Sequence, residues 1–295
     1  MLASDGEDRW VEIRHFQQRA DAEQHALVLI AMSIQCLLIR KPWGIGLLVA
    51  TPDAERAEYQ LQEYAAENRP RAVQPPRFSV SQVADGALIF SAAIVFVQAA
   101  TEANLFGLDW LSAGAANAGA ITDGEWWRAF TALGLHGDLG HLLSNLVFGS
   151  FFAIVLCQIL GAGLGWLAIL LSGGLGNIVS AVFQSADHSA IGASTAVFGA
   201  LGLLAALTWQ RQRFFRSGLR RYAPLAAGLM LLAFLGMGGE RTDIGGHLAG
   251  FGAGVALAIP LHLAADRIPL STGWQIRYGA AAFAIFAFAW VFALT

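Results

Sequence analysis

Three apolar stretches of the sequence each contain polar side chains of the kinds that carry out acyl transfer. Ser194 lies in the run GASTAVFG at residues 192–199, and His247 lies in a second run, GHLAG. A third apolar segment begins with His141 and Asn145, which are four residues apart. A hydroxyl nucleophile, an imidazole base and hydrogen-bond donors for a developing oxyanion are the groups that acyl transfer to water requires. The sequence therefore indicates hydrolytic chemistry inside hydrophobic segments.

Each of these residues also has a purely structural interpretation. Serine and glycine line close helix contacts in membranes, and Gly246, Gly250 and Gly254 would form one smooth packing face because they recur every four residues. His141 and Asn145 share a helix face and would be able to hydrogen-bond to a neighbouring helix. Polar residues within a membrane span are costly, however, and the three segments hold theirs at a similar depth near one surface. That shared depth favours a functional site.

The composition is that of a membrane protein without a metal or cofactor. The chain is 56% hydrophobic and 13% charged, whereas about a quarter of the residues in soluble domains are charged. A net charge of −3 excludes a strongly basic nucleic-acid binder, so no nucleic acid is expected as a partner. The two cysteines, Cys36 and Cys157, form neither a disulfide framework nor a metal-binding spacing, and no HExxH motif is present. The polar, acidic residues 1–9 predict no cleavable secretory signal.

Hydrophobic blocks fill the chain after about residue 85, and each is close to the roughly 20 residues that cross a bilayer. They predict seven spans. The predicted spans are residues 83–101, 139–160, 163–183, 194–210, 222–237, 244–263 and 278–294.

The charges in the connecting segments predict the orientation of these spans. Arginines cluster before the first span, between the fourth and fifth, and between the sixth and seventh, and the positive-inside rule places such clusters in the cytoplasm. The N-terminus is then cytoplasmic, the C-terminus is outside, and Ser194, His247 and His141 lie slightly below the outer surface. These arginines are Arg69, Arg71, Arg77, Arg211, Arg213, Arg216, Arg220, Arg221, Arg267 and Arg277.

Residues 1–78 predict a small α+β cytosolic domain with a linker. The pattern gives a strand at 11–16, a helix at 20–33, a hairpin of residues 34–40 and 44–50 around Pro42, and a helix from Asp53 to about Asn68. This βαββα order is similar to that of small signal-transducing domains fused to bacterial membrane proteins, which implies a regulatory partner for this domain. Prolines between residues 69 and 77 mark the linker.

The long segment between the first two spans, residues 102–137, contains several large apolar and aromatic side chains. Tryptophan is favoured at the lipid headgroup level, so this outer loop is predicted to lie partly in the membrane interface. A plain connector with exposed aromatics is the alternative. The side chains concerned are Leu105, Phe106, Leu108, Trp110, Trp126 and Trp127.

Taken together, the motifs between residues 83 and 263 resemble the rhomboid family of intramembrane serine proteases. The outer loop contains Trp127-Arg128, which is similar to the family's tryptophan–arginine motif, and the segment 136–145 has its His…His…Asn spacing. Gly-x-Ser ends at Ser194, and Gly-His at His247 matches the sixth helix. The resemblance implies an all-α polytopic membrane protein with a rhomboid-like six-helix core at 79–263. The segment 264–295 would be an additional C-terminal transmembrane helix.

The resemblance also implies a role for each site residue. Ser194 would be the nucleophile and His247 the base of a Ser-His dyad, without an acidic third member. The oxyanion donors would be the Ser194 backbone N–H and the side chains of His141 and Asn145. Phe198 would stack on the His247 ring, and Gly192 would support the turn before the serine. Asp243, one turn before His247, is interpreted as a helix N-cap rather than as a triad acid.

One position departs from the family pattern, because Thr195 follows the serine where glycine is common. If the backbone there requires a positive φ, a β-branched residue would distort the oxyanion site. If the residue is already helical, threonine is compatible with an active protease.

The function implied is hydrolysis of peptide bonds in or near transmembrane segments of other membrane proteins. The chain would be a multi-pass protein of the bacterial inner membrane, with the lipid bilayer and transmembrane protein substrates as partners. Residues 185–191 would rim a water-filled cavity, and 238–242 would form its lid. An inactive rhomboid-like protein that binds transmembrane helices is the alternative. A solute transporter is a second rival, but no inverted repeat is evident and the polar groups lie near one surface.

The predicted orientation can be tested with cysteines introduced at Ser189 and Ser217 after the native cysteines are replaced. We expect an impermeant thiol reagent to modify position 189 in intact cells. Position 217 lies within the arginine cluster and should react only after permeabilisation. The reverse pattern would place the candidate site on the cytoplasmic side.

Overall fold

The architecture of the chain is described from a computed structural model, which covers residues 10–67, 77–212, 222–236 and 243–295. The chain forms two compact units, Met1–Ala72 and Val73–Thr295. The predicted lid at 238–242 and the Ser217 position lie outside the described residues.

The N-terminal unit has the predicted βαββα order. Strands β1 (Trp10–Phe16), β2 (Cys36–Lys41) and β3 (Gly44–Ala50) form an antiparallel sheet in the order β1-β3-β2, and helices α1 (Arg19–Ala31) and α2 (Ala54–Glu67) complete the unit. Alternation along β3 sends Leu47 and Val49 into a core shared with Leu29 and Leu61. Strand β2 begins at Cys36 rather than at the predicted residue 34. The side chain of Ile34 fills the core instead, directly after Ser33 turns the chain with a positive φ.

Among the described residues of the second unit, seven long helices make up most of the structure, one for each predicted span. The fold class predicted from the sequence is therefore confirmed. These helices are α3 (Val80–Glu102), α7 (Leu139–Leu160), α8 (Ala162–Phe183), α9 (Ser194–Gln212), α10 (Ala223–Gly236), α11 (Ile244–Leu263) and α12 (Thr272–Leu294).

Among the described residues, five of these helices are long and apolar enough to cross a membrane: α3, α7, α8, α11 and α12. Helix α9 is less apolar because it ends in Trp209, Gln210 and Arg211, and most of its side chains are buried against neighbouring helices. Helix α10 has 14 residues and rises about 21 Å at 1.5 Å per residue, which is less than the hydrocarbon thickness. The span predicted at 222–237 is thus shorter than a full crossing within the described residues.

Helix α12 begins at Thr272, six residues before the predicted start. Its first turns include Gln275 and Arg277, whose polarity made the segment look like a connector. The Gln275 side chain is in fact used for packing: Oε1 accepts a hydrogen bond from the Leu164 N–H and Nε2 donates to the Leu160 carbonyl, each at 3.1 Å. These two bonds attach α12 to the turn between α7 and α8.

The segment 102–137, which was predicted to be an outer loop and keeps that name below, is folded rather than a plain connector. It contains three short helices, α4 (Trp110–Gly114), α5 (Ala118–Thr122) and α6 (Arg128–Thr131), and strand β4 (Ala116–Asn117), which pairs with β5 (Ser189–Ala190). The Arg128 guanidinium holds the loop together by donating to the carbonyls of Ser112 and Ala115 at 2.7 and 3.2 Å. The buried side chain of Asn177 on α8 attaches the loop to that helix by donating to the Ala129 carbonyl at 2.8 Å.

Glycine allows α9 and α11 to touch through their backbones. A Cβ built on Gly254 would overlap the Gly199 carbonyl oxygen, and one on Gly250 would overlap the Thr195 carbonyl oxygen. Small residues permit this approach in membranes, where lipid gives no hydrophobic drive for helix association. The GHLAG run therefore does supply a packing face, as the structural interpretation of its glycines predicts.

This contact predicts different effects for two neighbouring glycines of α11. Gly254→Ala should lower the free energy of unfolding by about 1–3 kcal/mol because the methyl group meets backbone rather than a movable side chain. The control is Gly252→Ala, since no atom lies within 4 Å of its Cβ position and alanine favours the helix. Thermal unfolding in detergent measures both, and equal midpoints would contradict the proposed contact.

Candidate active site

The structure brings Ser194 and His247 into direct contact. Ser194 is the first residue of α9, and His247 lies in the first turn of α11. The His247 Nε2 is 2.9 Å from the Ser194 Oγ, which is hydrogen-bonding distance. The hydroxyl group is partly exposed, whereas the histidine is 7% exposed. A nucleophile and a candidate base are thus paired across two helices that are far apart in sequence.

The start of α11 is set by Asp243. Its Oδ1 accepts a hydrogen bond from the Gly246 N–H at 2.9 Å, and its backbone carbonyl accepts from the His247 N–H at 3.0 Å. The carboxylate also lies 3.6 Å from the His188 Nε2. Asp243 is therefore the N-cap of the helix, as predicted, and its carboxylate stabilises the first turn on which His247 lies.

The Phe198 ring packs against the imidazole ring of His247. It is one turn after Ser194 on α9, it is 4% exposed, and its ring centroid lies 4.4 Å from that of His247 at a tilt of 42°. Aromatic contacts of this kind restrict ring rotation through packing. The contact keeps Nε2 directed at the serine.

Gly192 forms the turn that leads into the serine, and its backbone requires glycine. Its φ is +129°, a backbone conformation in which any residue with a side chain would be strained. Its N–H donates to the Ala132 carbonyl at 2.9 Å. A Cβ at this position would lie 2.6 Å from the His141 Nε2 and 3.6 Å from the Ser194 Oγ. The His141 ring and the serine hydroxyl therefore line the same small space beside Gly192.

Asn145 makes a hydrogen bond within its own helix that the sequence analysis did not predict. It is 5% exposed, and its Nδ2 donates to the His141 carbonyl on its own helix at 3.0 Å. A side-chain amide has two N–H donors, so one of them is engaged within α7 in this structure. His141 reaches the serine turn directly, while Asn145 has a single further donor with which to contribute.

His136 is a site residue whose role the sequence analysis did not identify. Its ring is 4% exposed and packs edge-on against His141 at 5.0 Å, and its Nε2 accepts from the Ala193 N–H at 3.4 Å. Burial, followed by the nearby His141, lowers the pKa of His136 from 6.5 to about 4. The neutral ring can therefore keep Nε2 as an acceptor for the backbone beside the nucleophile. The sequence feature that could have pointed to this role is a histidine at the end of an apolar loop.

Thr195 is accommodated without strain. It belongs to α9, and the described non-glycine residues with positive φ are Ser33, Asn104 and Phe106. Its methyl group lies 2.8 and 3.0 Å from where Cβ atoms on Gly176 and Gly250 would be. The space that glycine leaves on α8 and α11 is filled by threonine on α9, so the helical alternative is confirmed.

The rim predicted at residues 185–191 is tied to the outer loop. Strand β5 pairs with β4, with Ala190 opposite Ala116, and the His188 carbonyl accepts from the Ala118 N–H at 2.9 Å.

Across the four described segments of the chain, no group of three or more His, Cys, Asp or Glu side chains is arranged to hold a metal ion.

Comparisons with known proteins agree with the motifs. A family model for the Rhomboid domain matches residues 123–264, a segment that includes every site residue above. The Rhomboid-like protease 3 of Toxoplasma gondii is 36% identical over 148 residues, which are 49% of this chain and 55% of that protein. The putative rhomboid protease YdcA of Bacillus subtilis is 30% identical over 139 residues, 47% of this chain and 68% of YdcA. The rhomboid protease GluP of the same bacterium is 30% identical over 155 residues, 50% and 29% of the two chains.

The lowered pKa of His136 predicts part of the acid sensitivity of this unit. Its pKa is near 6.5 when unfolded and about 4 when folded, so the unfolded chain takes up the proton first as the pH falls. Stability should therefore be lost progressively between about pH 6.5 and pH 4. His136→Gln keeps an acceptor for the Ala193 N–H but does not titrate. We expect thermal midpoints in detergent to fall less with acid in this variant, and parallel curves would contradict the assignment.

Proposed function

The chain belongs to the rhomboid family, and from that premise we propose that it is an intramembrane serine endopeptidase with Ser194 and His247 as its catalytic dyad. Rhomboid proteases act on transmembrane substrates within the bilayer, and the relatives above are named as proteases. The observation that carries the proposal is the 2.9 Å contact between the Ser194 Oγ and the His247 Nε2. Motif and geometry thus agree on the same two residues.

The first half of the reaction forms an acyl-enzyme. The Ser194 Oγ attacks the scissile carbonyl carbon while His247 Nε2 takes the hydroxyl proton, which requires the neutral tautomer with its proton on Nδ1. The tetrahedral intermediate then collapses: the C–N bond breaks and His247 gives its proton to the leaving amine nitrogen. The Phe198 ring keeps the imidazole aligned for both transfers because it packs against its face.

Water completes the reaction by the same route. His247 removes a proton from a water molecule that attacks the ester carbonyl, and the proton returns to Ser194 as the carboxylic acid leaves. Water must therefore reach the serine although the surrounding helices are apolar. The partial exposure of Ser194 and the non-helical segment before it support such access, because irregular backbone within a membrane protein borders protein or a water-filled cavity.

Charge on the carbonyl oxygen would be stabilised by three donors. The Ser194 N–H lies at the N-terminus of α9, where backbone N–H groups lack intrahelical partners and the helix dipole favours an anion. The His141 ring faces the same space beside Gly192. Asn145 would add the amide N–H that is not engaged with the His141 carbonyl, with a small side-chain rotation. One donor of this kind is worth about 10²–10³ in rate.

The site would open to the outer face of the membrane. Arg211 lies at the opposite end of α9 and Arg267 just beyond the opposite end of α11, whereas Asp138 and Asp243 cap the starts of α7 and α11 near the site. A transmembrane substrate would have to unwind there, since the peptide bonds of a helix are shielded from attack. Residues that weaken a helix near the cleaved bond are therefore the expected substrate feature.

Replacing either member of the dyad tests the proposal. Ser194→Ala and His247→Ala should each reduce cleavage of a reconstituted transmembrane substrate at least about a thousandfold, because the two groups act as one unit. A fluorophosphonate probe should label the wild-type chain at Ser194 and leave Ser194→Ala unlabelled.

The matched controls replace the same residue types at other places in the second unit. Ser189→Ala changes an exposed serine in the rim, and His262→Ala changes a histidine in the last turn of α11. Both should cleave and label normally, and the thermal midpoints of all four variants should stay near wild type. Turnover in a folded Ser194→Ala protein, or a folded wild type that neither cleaves nor labels, would favour an inactive helix-binding relative.

A further inference from the structure

Helix α12 lies outside the segment that matches the Rhomboid domain, yet its far end contacts the outer loop beside the candidate site. We propose that α12 is a clamp whose Trp290 positions the backbone before Ser194 through the outer loop. Its effect on catalysis rests on the proposed function, whereas its effect on the position of that backbone does not.

One end of the clamp is fixed to the turn between α7 and α8. Gln275 makes the two 3.1 Å hydrogen bonds described above, and a Cβ on Gly163 would overlap the Gln275 carbonyl oxygen. Because a side chain and the backbone are both engaged at one point, α12 has little freedom to slide along its neighbours. The register at this end therefore determines which side chains reach the outer loop.

The other end carries aromatic side chains into the outer loop. The Trp290 ring is 6% exposed and lies 4.9 Å from the Trp110 ring, and a Cβ on Gly114 would be 2.5 Å from its edge. Phe292 stacks on Trp127 at 5.9 Å with an interplanar angle of 18°. Aromatic pairs in these geometries add stabilisation beyond their buried area.

The same cluster continues to the backbone next to the nucleophile. Trp290 shares one packed group with Leu135, which is fully buried, and with Ile191. These two residues directly precede His136 and Gly192. A displacement of the cluster is therefore transmitted to the turn by side chains in contact, without an intervening flexible segment.

Two hydrogen bonds then connect the outer loop to the serine turn. The Ala132 carbonyl accepts from the Gly192 N–H at 2.9 Å, and the His136 Nε2 accepts from the Ala193 N–H at 3.4 Å. Both donors lie within two residues of Ser194. The clamp thus acts on the orientation of the first N–H groups of α9, which is why Trp290 is a positioning residue and not a catalytic one.

Trp290→Ala is the informative variant, and two others on α12 serve as its controls. Trp290→Phe keeps an aromatic ring and removes an indole N–H that is buried without a hydrogen bond among the described residues. Phe288→Ala removes a ring two positions away that is 61% exposed and faces away from the cluster. Loss of a ring from α12 is thereby separated from loss of the contact with the outer loop.

The first measurement is hydrogen–deuterium exchange in the full-length chain in detergent, which requires no activity. In Trp290→Ala we expect the amides of Gly192 and Ala193 to exchange at least about tenfold faster, while the middle of α9 and α11 stays protected. Trp290→Phe and Phe288→Ala should exchange as wild type does. Unchanged exchange at these two amides, or faster exchange throughout α9 and α11, would overturn the clamp.

The second measurement is cleavage of a transmembrane substrate. Trp290→Ala should lower kcat about ten- to a hundredfold and change KM little, because misplaced donors act on the transition state more than on binding. Trp290→Phe should restore most of kcat. Equal losses in Trp290→Ala and Phe288→Ala would overturn the clamp. If the variants differ from wild type in exchange as expected but the wild type itself does not cleave the substrate, the proposed function is rejected and the clamp remains supported.

Discussion

The distance between α9 and α11 is the constraint on which the candidate site depends. Backbone meets backbone where Gly254 faces the Gly199 carbonyl and where Gly250 faces that of Thr195. The second contact lies one residue after the nucleophile, so the helix separation is fixed almost at the level of the Ser194–His247 pair. A side chain in this seam would move the two groups out of hydrogen-bonding range, and no later adjustment of rotamers would recover 2.9 Å. The glycines serve packing and chemistry at once.

The positions at which the helices begin also determine where the site residues lie. Asp138 and Asp243 each accept a hydrogen bond from a backbone N–H in the first turn, of α7 and α11 respectively, which fixes where His141 and His247 fall on their helices. Helix α9 begins differently, because its first residue is the serine itself and the preceding turn is held by the outer loop. The nucleophile therefore lies at a helix terminus, where backbone donors are directed at the space that a substrate carbonyl would enter.

The sequence predicted those features that follow from local pattern. Hydrophobic length gave the order of the seven helices, and the Asp243 cap followed from its position one turn before His247, whereas the contact between Phe198 and His247 was expected only from the family resemblance. It did not predict features that arise from long-range contacts. The fold of the outer loop depends on the hydrogen bonds of Arg128 and Asn177 to backbone carbonyls that are distant in sequence. Because every residue has such a carbonyl, residue types do not indicate which one accepts the bond. The same limit hid the role of His136 and the hydrogen bond of Asn145 to its own helix.

The position of α12 in the chain has a consequence for biosynthesis. It follows every other described membrane helix, so a ribosome delivers it to the bilayer after α7, α9 and α11 are already inserted. Ser194 and His247 can therefore meet before Trp290 reaches the outer loop. If the clamp orients the serine turn as proposed, a nascent chain passes through an interval in which the dyad exists but its oxyanion donors are unaligned. Such an order of assembly would protect neighbouring nascent membrane proteins from premature cleavage during synthesis.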